Sequence, residues 1–291
     1  MSVLVIGGSG YIGSRLVEKL TVQGIPTTIW DLNHSPLSPS NKVEFVQKDF
    51  LNIVSSDLTA FDSVVLLAGV SSVSASQRSP ELTVRSNIEG LVRLFSVIDN
   101  KLLIYASSGS VYDGCGERPA VEGLSLSQPR NIYDLTKQVG DEIAAFYGHR
   151  WLGLRFGTVN GVSPSMRTDL VINRMTLTAS QRGFVEIANP YAHRAILCID
   201  DLTNFICKVV QQNVGESYSG VLNLASFNPY IGEIGSRIAR QLNVPIRELP
   251  SSNTYDFSMS TTKARSVFGF KPVGTLENLT TSLSTHYGVS G

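Results

Sequence analysis

The chain has 291 residues, 42% of them hydrophobic and 16% charged, and its 24 Lys+Arg offset 24 Asp+Glu. That length can bury one large core or two modest ones. A balanced charge without basic runs excludes the electrostatic footprint of a nucleic-acid or membrane-surface partner. Three scattered cysteines (Cys115, Cys198, Cys207) form neither a disulfide framework nor a zinc site, and His34, His149, His193 and His286 lack metal spacing, so no metal is expected.

The chain opens in its first strand, without a charged and apolar leader, and holds no run of about 18 apolar residues, which points to the cytoplasm. Val3-Leu4-Val5-Ile6 ends in Gly7-Gly8-Ser9-Gly10-Tyr11-Ile12-Gly13, a G-x-x-G-x-x-G spacing. Ile12, Leu16, Val17 and Leu20 then recur at helical spacing as far as Gly24. A strand that turns on glycines into a helix holds a dinucleotide pyrophosphate: the glycines permit the tight turn and the close approach, and the helix-start amides face the anion. The next strand closes at Asp31, placed for the adenosine ribose hydroxyls. Asp31 has no adjoining arginine, and a carboxylate repels a 2′-phosphate, so NAD is favoured over NADP.

Asn33 to Asn41 reads as a loop and Val43 to Val46 as a third strand ending near Asp49. Phe61 to Leu67 is a fourth, followed by Ala68-Gly69, small residues that let a cofactor lie close. A helical pattern covers Pro80 to Ile98, and Leu102 to Tyr105 is a fifth strand closing in Ala106-Ser107-Ser108-Gly109-Ser110. Ile132 to Tyr147 follows as a helix with the apolar line Leu135, Val139, Ile143 and Phe146, then a strand at Leu152–Phe156. The alternation predicts a Rossmann-type α/β fold, a doubly wound parallel sheet whose strand ends gather the ligand. Beyond Gly161 the alternation breaks: helix at Met166–Ser180, short strands at Val185–Ile187 and Ala195–Ile199, a helix capped by Asp200 or Asp201, and a strand at Val221–Leu224 that returns to the sheet. Helices are expected at Tyr230–Leu242, Thr262–Val267 and Leu276–Thr285. Residues 1–160, with a return near 194–225, form the expected NAD-binding domain, and 161–291 a smaller, mixed α/β, mainly substrate-binding part.

Tyr133 and Lys137 form Y-x-x-x-K, four apart on one helix face. A free phenol titrates near pH 10 and is a poor base at neutrality, whereas a nearby cation favours the phenolate. Such a phenol can take or return a hydroxyl proton while hydride moves to or from a nicotinamide. Ser108, at the end of the fifth strand, can hydrogen-bond the reacting oxygen. Ser108, Tyr133 and Lys137 are the candidate catalytic residues.

These motifs resemble the extended short-chain dehydrogenases/reductases of the NAD-dependent epimerase/dehydratase family, which act on nucleotide sugars. The resemblance runs nearly end to end. It covers the loop with Gly7, Gly10, Tyr11, Ile12 and Gly13, then Asp31, Asp49 on the adenine side, Leu67-Ala68-Gly69, Asn87, and Ser107-Ser108-Gly109-Ser110-Val111-Tyr112. It implies that these residues, with Tyr133 and Lys137, bind NAD. Leu154-Arg155-Phe156-Gly157-Thr158-Val159-Asn160-Gly161 resembles the family's "LRxxNVYGP", with Thr158 and Asn160 replacing its Asn and Tyr, and Arg194 precedes Ile199-Asp200-Asp201 as a family phosphate ligand does. Ser108, Ser110, Asn160, Asn173 and Arg194 are the implied substrate-binding positions, and a homodimer through helices 80–98 and 132–147 is implied, with Leu91, Leu94 and Phe95 as its apolar part. The family's dehydratases carry an Asp-Glu pair where Gly109-Ser110 stand, so elimination of water is disfavoured. What remains is an NAD-dependent oxidoreductase or 4-epimerase acting on a nucleotide-linked sugar through a transient keto sugar. The alternatives are a keto-sugar or other carbonyl reductase and a non-catalytic dinucleotide sensor or scaffold.

Overall fold

The computed structural model describes residues 1–34, 43–116, 118–147, 150–212 and 218–288. The expected loop at Asn33–Asn41 lies outside them from residue 35 onward, as does His149. In chain order the main elements are β1 (Val3–Ile6), α1 (Tyr11–Val22), β2 (Thr27–Asp31), β3 (Val43–Gln47), β4 (Ser63–Leu66), α2 (Val73–Arg78), α3 (Pro80–Val84), α4 (Gly90–Val97), β5 (Leu102–Ser108), α5 (Ile132–Ala144) and β6 (Trp151–Phe156). They continue as β7 (Thr158–Asn160), α6 (Val171–Arg182), β8 (Val185–Ile187), β9 (Ile196–Cys198), α7 (Ile199–Gln211), β10 (Gly220–Leu224), α8 (Ile231–Leu242), β11 (Ile246–Glu248), α9 (Thr262–Phe268) and α10 (Leu276–His286).

Among the described residues seven strands form one sheet in the order β10-β6-β5-β4-β1-β2-β3, every pairing parallel. The chain builds outward from β1 to β3, then returns to the other side of β1 with β4. The order therefore reverses between β1 and β4, where a crevice opens at the carboxyl ends of the strands. Val3 and Val5 pack with Leu16, Val17, Leu20 and Phe205 on one face, while Leu4 and Ile6 pack with Leu94, Phe95 and Ile98 on the other. Both faces are covered, which is why the strands read as continuous apolar runs. As expected, β10 returns to the sheet beside β6. The smaller pairs β7·β9 and β8·β11 lie outside the sheet, and α6, α8 and α10 share a core with Val185 and Ile187 of β8.

Several expectations are corrected here. Leu91, Leu94 and Phe95 are buried against the sheet and are core residues, not an interface. The pattern at Pro80–Ile98 is broken by a π-helical stretch, Arg85–Glu89, between α3 and α4. The apolar line of α5 faces away from the sheet, with Leu135 and Phe146 exposed, and the buried face carries Asp134, Thr136, Gly140, Asp141 and Ala144. That face is polar because the end of β5 is polar: Tyr105 Oη and Ser107 Oγ donate to Asp141, as does Arg155 Nε. Helix α6 starts at Val171 rather than Met166, and Asn160 Oδ1 accepts the Ile172 amide at 3.0 Å. Neither Asp200 nor Asp201 caps α7, which begins at Ile199 with Cys198 as its N-cap. Asp200 instead pairs with Arg15 and Lys19, and Asp201 accepts from Ser226 Oγ and the amides of Val273 and Gly274.

Candidate active site

A cleft of about 860 Å³ runs along the strand ends and under the C-terminal segments. At its first end Gly7 takes a positive φ of 87°, and a Cβ there would lie 2.5 Å from the Ala68 amide nitrogen. A Cβ on Gly13 would lie 2.1 Å from the Gly7 carbonyl oxygen, so this position sets how closely α1 meets the turn. Gly10 differs: it is exposed on the cleft wall, and the nearest atom to its Cβ position is the Gly7 oxygen at 3.4 Å. It opens α1 with no side-chain cap, which leaves helix-start amides for an anion. Asp31 takes the Ser9 amide on one carboxylate oxygen and the Asn33 amide on the other, both at 3.0 Å, and stays on the cleft wall. A lining carboxylate beyond an uncapped, glycine-lined helix start is the donor and acceptor set a dinucleotide requires. Tyr11, Ile12, Asp49, Leu67, Ala68 and Gly69 complete this wall. Asn87 stands behind it: its Oδ1 accepts the Val70 amide, its Nδ2 donates to the Val70 carbonyl, and so it pins the loop after β4.

In the middle of the cleft α5 and the end of β5 bring Ser108, Tyr133 and Lys137 together. Asn131 caps α5, its Oδ1 accepting the Asp134 amide, which fixes the first turn and the helix phase. Lys137 Nζ donates to the Ala106 carbonyl at 2.7 Å and lies 5.7 Å from the Tyr133 ring centre. Burial brings its ammonium down to about 8, with Asp141 acting in the opposite direction. The phenol of Tyr133 is raised by burial, which outweighs the hydrogen bond with Ser108 and the Arg167 charge that act downward. The sequence points to Lys137 as the cation that lowers this phenol. In the structure Lys137 is tethered to Ala106, and burial of the phenol dominates.

Behind Ser108 stands a group that the sequence reading missed. Ser108 Oγ and Ser110 Oγ share a hydrogen bond of 2.9 Å, and Ser110 Oγ donates to Asp134 Oδ1 at 2.6 Å. A Cβ on Gly109 would lie 2.6 Å from Met259 Sδ and 2.8 Å from the Phe156 carbonyl, so no acidic side chain fits at that position. At the far end Arg194 lines the cleft, donates from Nη2 to Thr254 Oγ1 at 2.6 Å, and buries an Nε that has no partner. Such a desolvated cation is suited to an anion. Thr158 also lines the cleft, as do Thr254, Tyr255 and Phe257, three residues that no sequence signal marked.

Two expected substrate positions are displaced. Asn160 and Asn173 are fully buried and absent from the wall. Asn160 is committed to Thr158 and Ile172, and Asn173 to the Gly161 amide, the Tyr11 hydroxyl and the Arg167 carbonyl. Their amides join β7, α6 and α1, and have no polar atom left for a ligand. Cys115 also lies off the wall, held by Ser127, and burial raises Cys198 and Cys207 to about 12. Among the described residues no His/Cys/Asp/Glu group could hold a metal.

The model of the NAD dependent epimerase/dehydratase family matches residues 3–225. The chain belongs to this family. UDP-glucuronate 4-epimerase 1 of Arabidopsis thaliana is 27% identical over 95% of this chain and 74% of its own length. A UDP-glucuronic acid 4-epimerase of Bacillus cereus, solved with UDP-glucuronic acid and NAD, superposes with a TM-score of 0.86 at 21% identity, covering 99% of each chain. An NAD-dependent NDP-hexosamine 5,6-dehydratase superposes with a TM-score of 0.85 at 20% identity over 100% of this chain and 99% of that one. Epimerase and dehydratase members thus share this fold equally well, and the chemistry must be read from side chains.

Proposed function

We propose that the protein is an NAD-dependent 4-epimerase of a nucleotide-linked sugar, working through a transient keto sugar in the cytoplasm. The observation that carries this reading is that Ser108, Tyr133 and Lys137 line the same cleft as an uncapped glycine-lined helix start and the half-paired Arg194. Gly7, Gly10, Gly13, Asp31 and Asp49 would hold NAD, and Lys137 the nicotinamide ribose. Bound NAD supplies the acceptor and donor of hydride. Tyr133 takes and returns the proton of the sugar hydroxyl, and Ser108 orients that oxygen. Arg194 neutralises the diphosphate from the far end. The division of labour follows: residues 1–160 with 194–225 serve the cofactor, and 161–291 mainly the sugar nucleotide. Steric exclusion of an acid at Gly109 supports redox without elimination.

The test is incubation with NAD and either UDP-glucose or UDP-glucuronate, followed by proton NMR and absorbance. Inversion at C4 without accumulating NADH is the expected result. Steady NADH formation replaces the epimerase with a dehydrogenase, and binding of NAD without any turnover favours the sensor.

Lys137 gives this reading a pH signature. Its ammonium holds the ribose and is lost near pH 8, so turnover falls above that value. The unfolded chain keeps the same proton to about pH 10, so between these values the unfolded state binds more protons. Stability from this group therefore rises with pH while activity falls. A kcat profile alongside thermal melts checks this, and parallel losses of both contradict it.

A homodimer is part of the same proposal, through a surface different from that of Leu91, Leu94 and Phe95. Leu82 on α3 is 54% exposed, and Leu135 and Phe146, on and just after α5, are 38% and 89% exposed. Helices α3 and α5 pack against each other, so these exposed apolar residues belong to one pair of neighbouring helices. Phe146→Asp is expected to yield a monomer by light scattering; a parent chain that is already monomeric removes the idea.

A further inference from the structure

Ser252, Thr254 and Tyr255 line the cleft, and their hydrogen bonds put its parts in order. At one end the Tyr255 hydroxyl accepts from Asn131 Nδ2 at 2.9 Å and donates to Asp134 Oδ1 at 3.0 Å, in the cap and first turn of α5 that also carry Tyr133. One residue back, Thr254 Oγ1 accepts from Arg194 Nη2 at 2.6 Å. At the other end Asn189, just past β8, donates from Nδ2 to Ser252 Oγ at 3.2 Å and takes the Ser252 amide on Oδ1 at 3.1 Å. Ser252 and Thr254 are separated by at most about 7 Å of chain. The catalytic candidates, the cation for a diphosphate and the end of β8 therefore follow one another. A nucleotide sugar has its sugar on one side of the diphosphate and its nucleoside on the other, so β8 faces the nucleoside.

This strand presents a carboxylate that the fold itself does not use. Val185 and Ile187 are 0% and 5% exposed in the core shared with α6 and α8, and strand alternation turns Glu186 the other way, onto the cleft wall. Among the described residues its ion-pair partner is Arg174, whose Nη2 stands 3.6 Å away, beyond hydrogen-bond reach, on a side chain 59% exposed. An exposed pair of this kind contributes little to stability. Asp169, on the same wall, is by contrast held through both oxygens by Arg167. A carboxylate offers acceptors only. The part of a nucleoside with two adjacent hydroxyl donors is the 2′,3′-diol of its ribose, the group that an acid at a strand end reads in dinucleotide folds.

We propose that Glu186 is a specificity-determining residue that accepts the ribose hydroxyls of the substrate nucleotide, selecting ribonucleoside over 2′-deoxyribonucleoside diphosphates. This rests on the reading above that the substrate is a nucleotide-linked sugar with its diphosphate on Arg194. Arg174, on the wall beside Glu186, offsets the carboxylate charge, so an anionic ligand can approach. The hydroxyls then supply the hydrogen bonds that Arg174 is too distant to give.

Calorimetric titration of the NAD-loaded protein with UDP and with 2′-deoxy-UDP tests this without any turnover. The parent is expected to bind UDP about 10-fold more tightly than 2′-deoxy-UDP, the loss of one hydrogen bond to a charged group. Glu186→Ala should weaken UDP by about 10-fold or more and bring the two ligands to equal affinity. Its NAD affinity should match the parent's, which shows that the fold is intact. Equal affinities of the parent for UDP and 2′-deoxy-UDP overturn the proposal; if Glu186→Ala then weakens both alike, the carboxylate meets the base instead. Tighter UDP binding by Glu186→Ala also overturns it, because the carboxylate then only repels the diphosphate. UDP that fails to bind the parent at all defeats the functional reading, and the ribose assignment falls with it.

Discussion

Tyr133→Phe is expected to lower turnover by about 10²–10⁴-fold while leaving the affinity for NAD unchanged. The phenylalanine keeps the half-buried ring on the cleft wall and removes only the hydroxyl. Lys137 remains fixed on Ala106. The lost step is the passage of the sugar proton between the substrate hydroxyl and the Tyr133 phenol. Turnover assays beside calorimetric titration of NAD separate the two effects. Parallel loss of turnover and NAD affinity would mean that Tyr133 supports the pocket rather than the reaction.

Gly13→Ala is the second large effect. The added methyl would lie 2.1 Å from the Gly7 oxygen and 2.7 Å from the Gly8 Cα, both backbone, so helix α1 must lift from the turn. Overpacking of this kind costs about 1–3 kcal/mol or more, and here it also moves the amides that face the pyrophosphate. The melting temperature and the NAD affinity should fall together. Gly10→Ala separates the two, since its methyl meets no atom closer than 3.4 Å and stands on the cleft wall. It should weaken NAD binding with the melt unchanged. Equal destabilisation by both substitutions would contradict the distinct roles of these glycines.

The contrast between legible and illegible parts of this chain has a physical basis. The glycine loop, Asp31 and the Y-x-x-x-K pair could be read because backbone geometry restricts what can stand there. The parallel sheet followed from apolar runs that only a doubly covered strand produces. Helix α5 misled because periodicity shows that an apolar stripe exists, not what covers it. Its stripe looks outward and its polar face inward, where β5 ends in serines. Asn160 and Asn173 misled for a related reason: an amide that joins buried loops and one that binds a ligand look alike in sequence. Asp134 left a faint signal, a charge inside the Y-x-x-x-K turn next to Tyr133. Tyr255 and Thr254 left none, because a long stretch of chain folds back to place them.

The central claim is that hydride leaves C4 of the sugar and returns to it. The direct measurement uses UDP-glucose deuterated at C4, with the holoenzyme in ordinary water and the product read by NMR. Retention of deuterium at the inverted C4 is the predicted result. Loss of the label to water would show that the carbon exchanges a proton instead of a hydride, and would contradict the account.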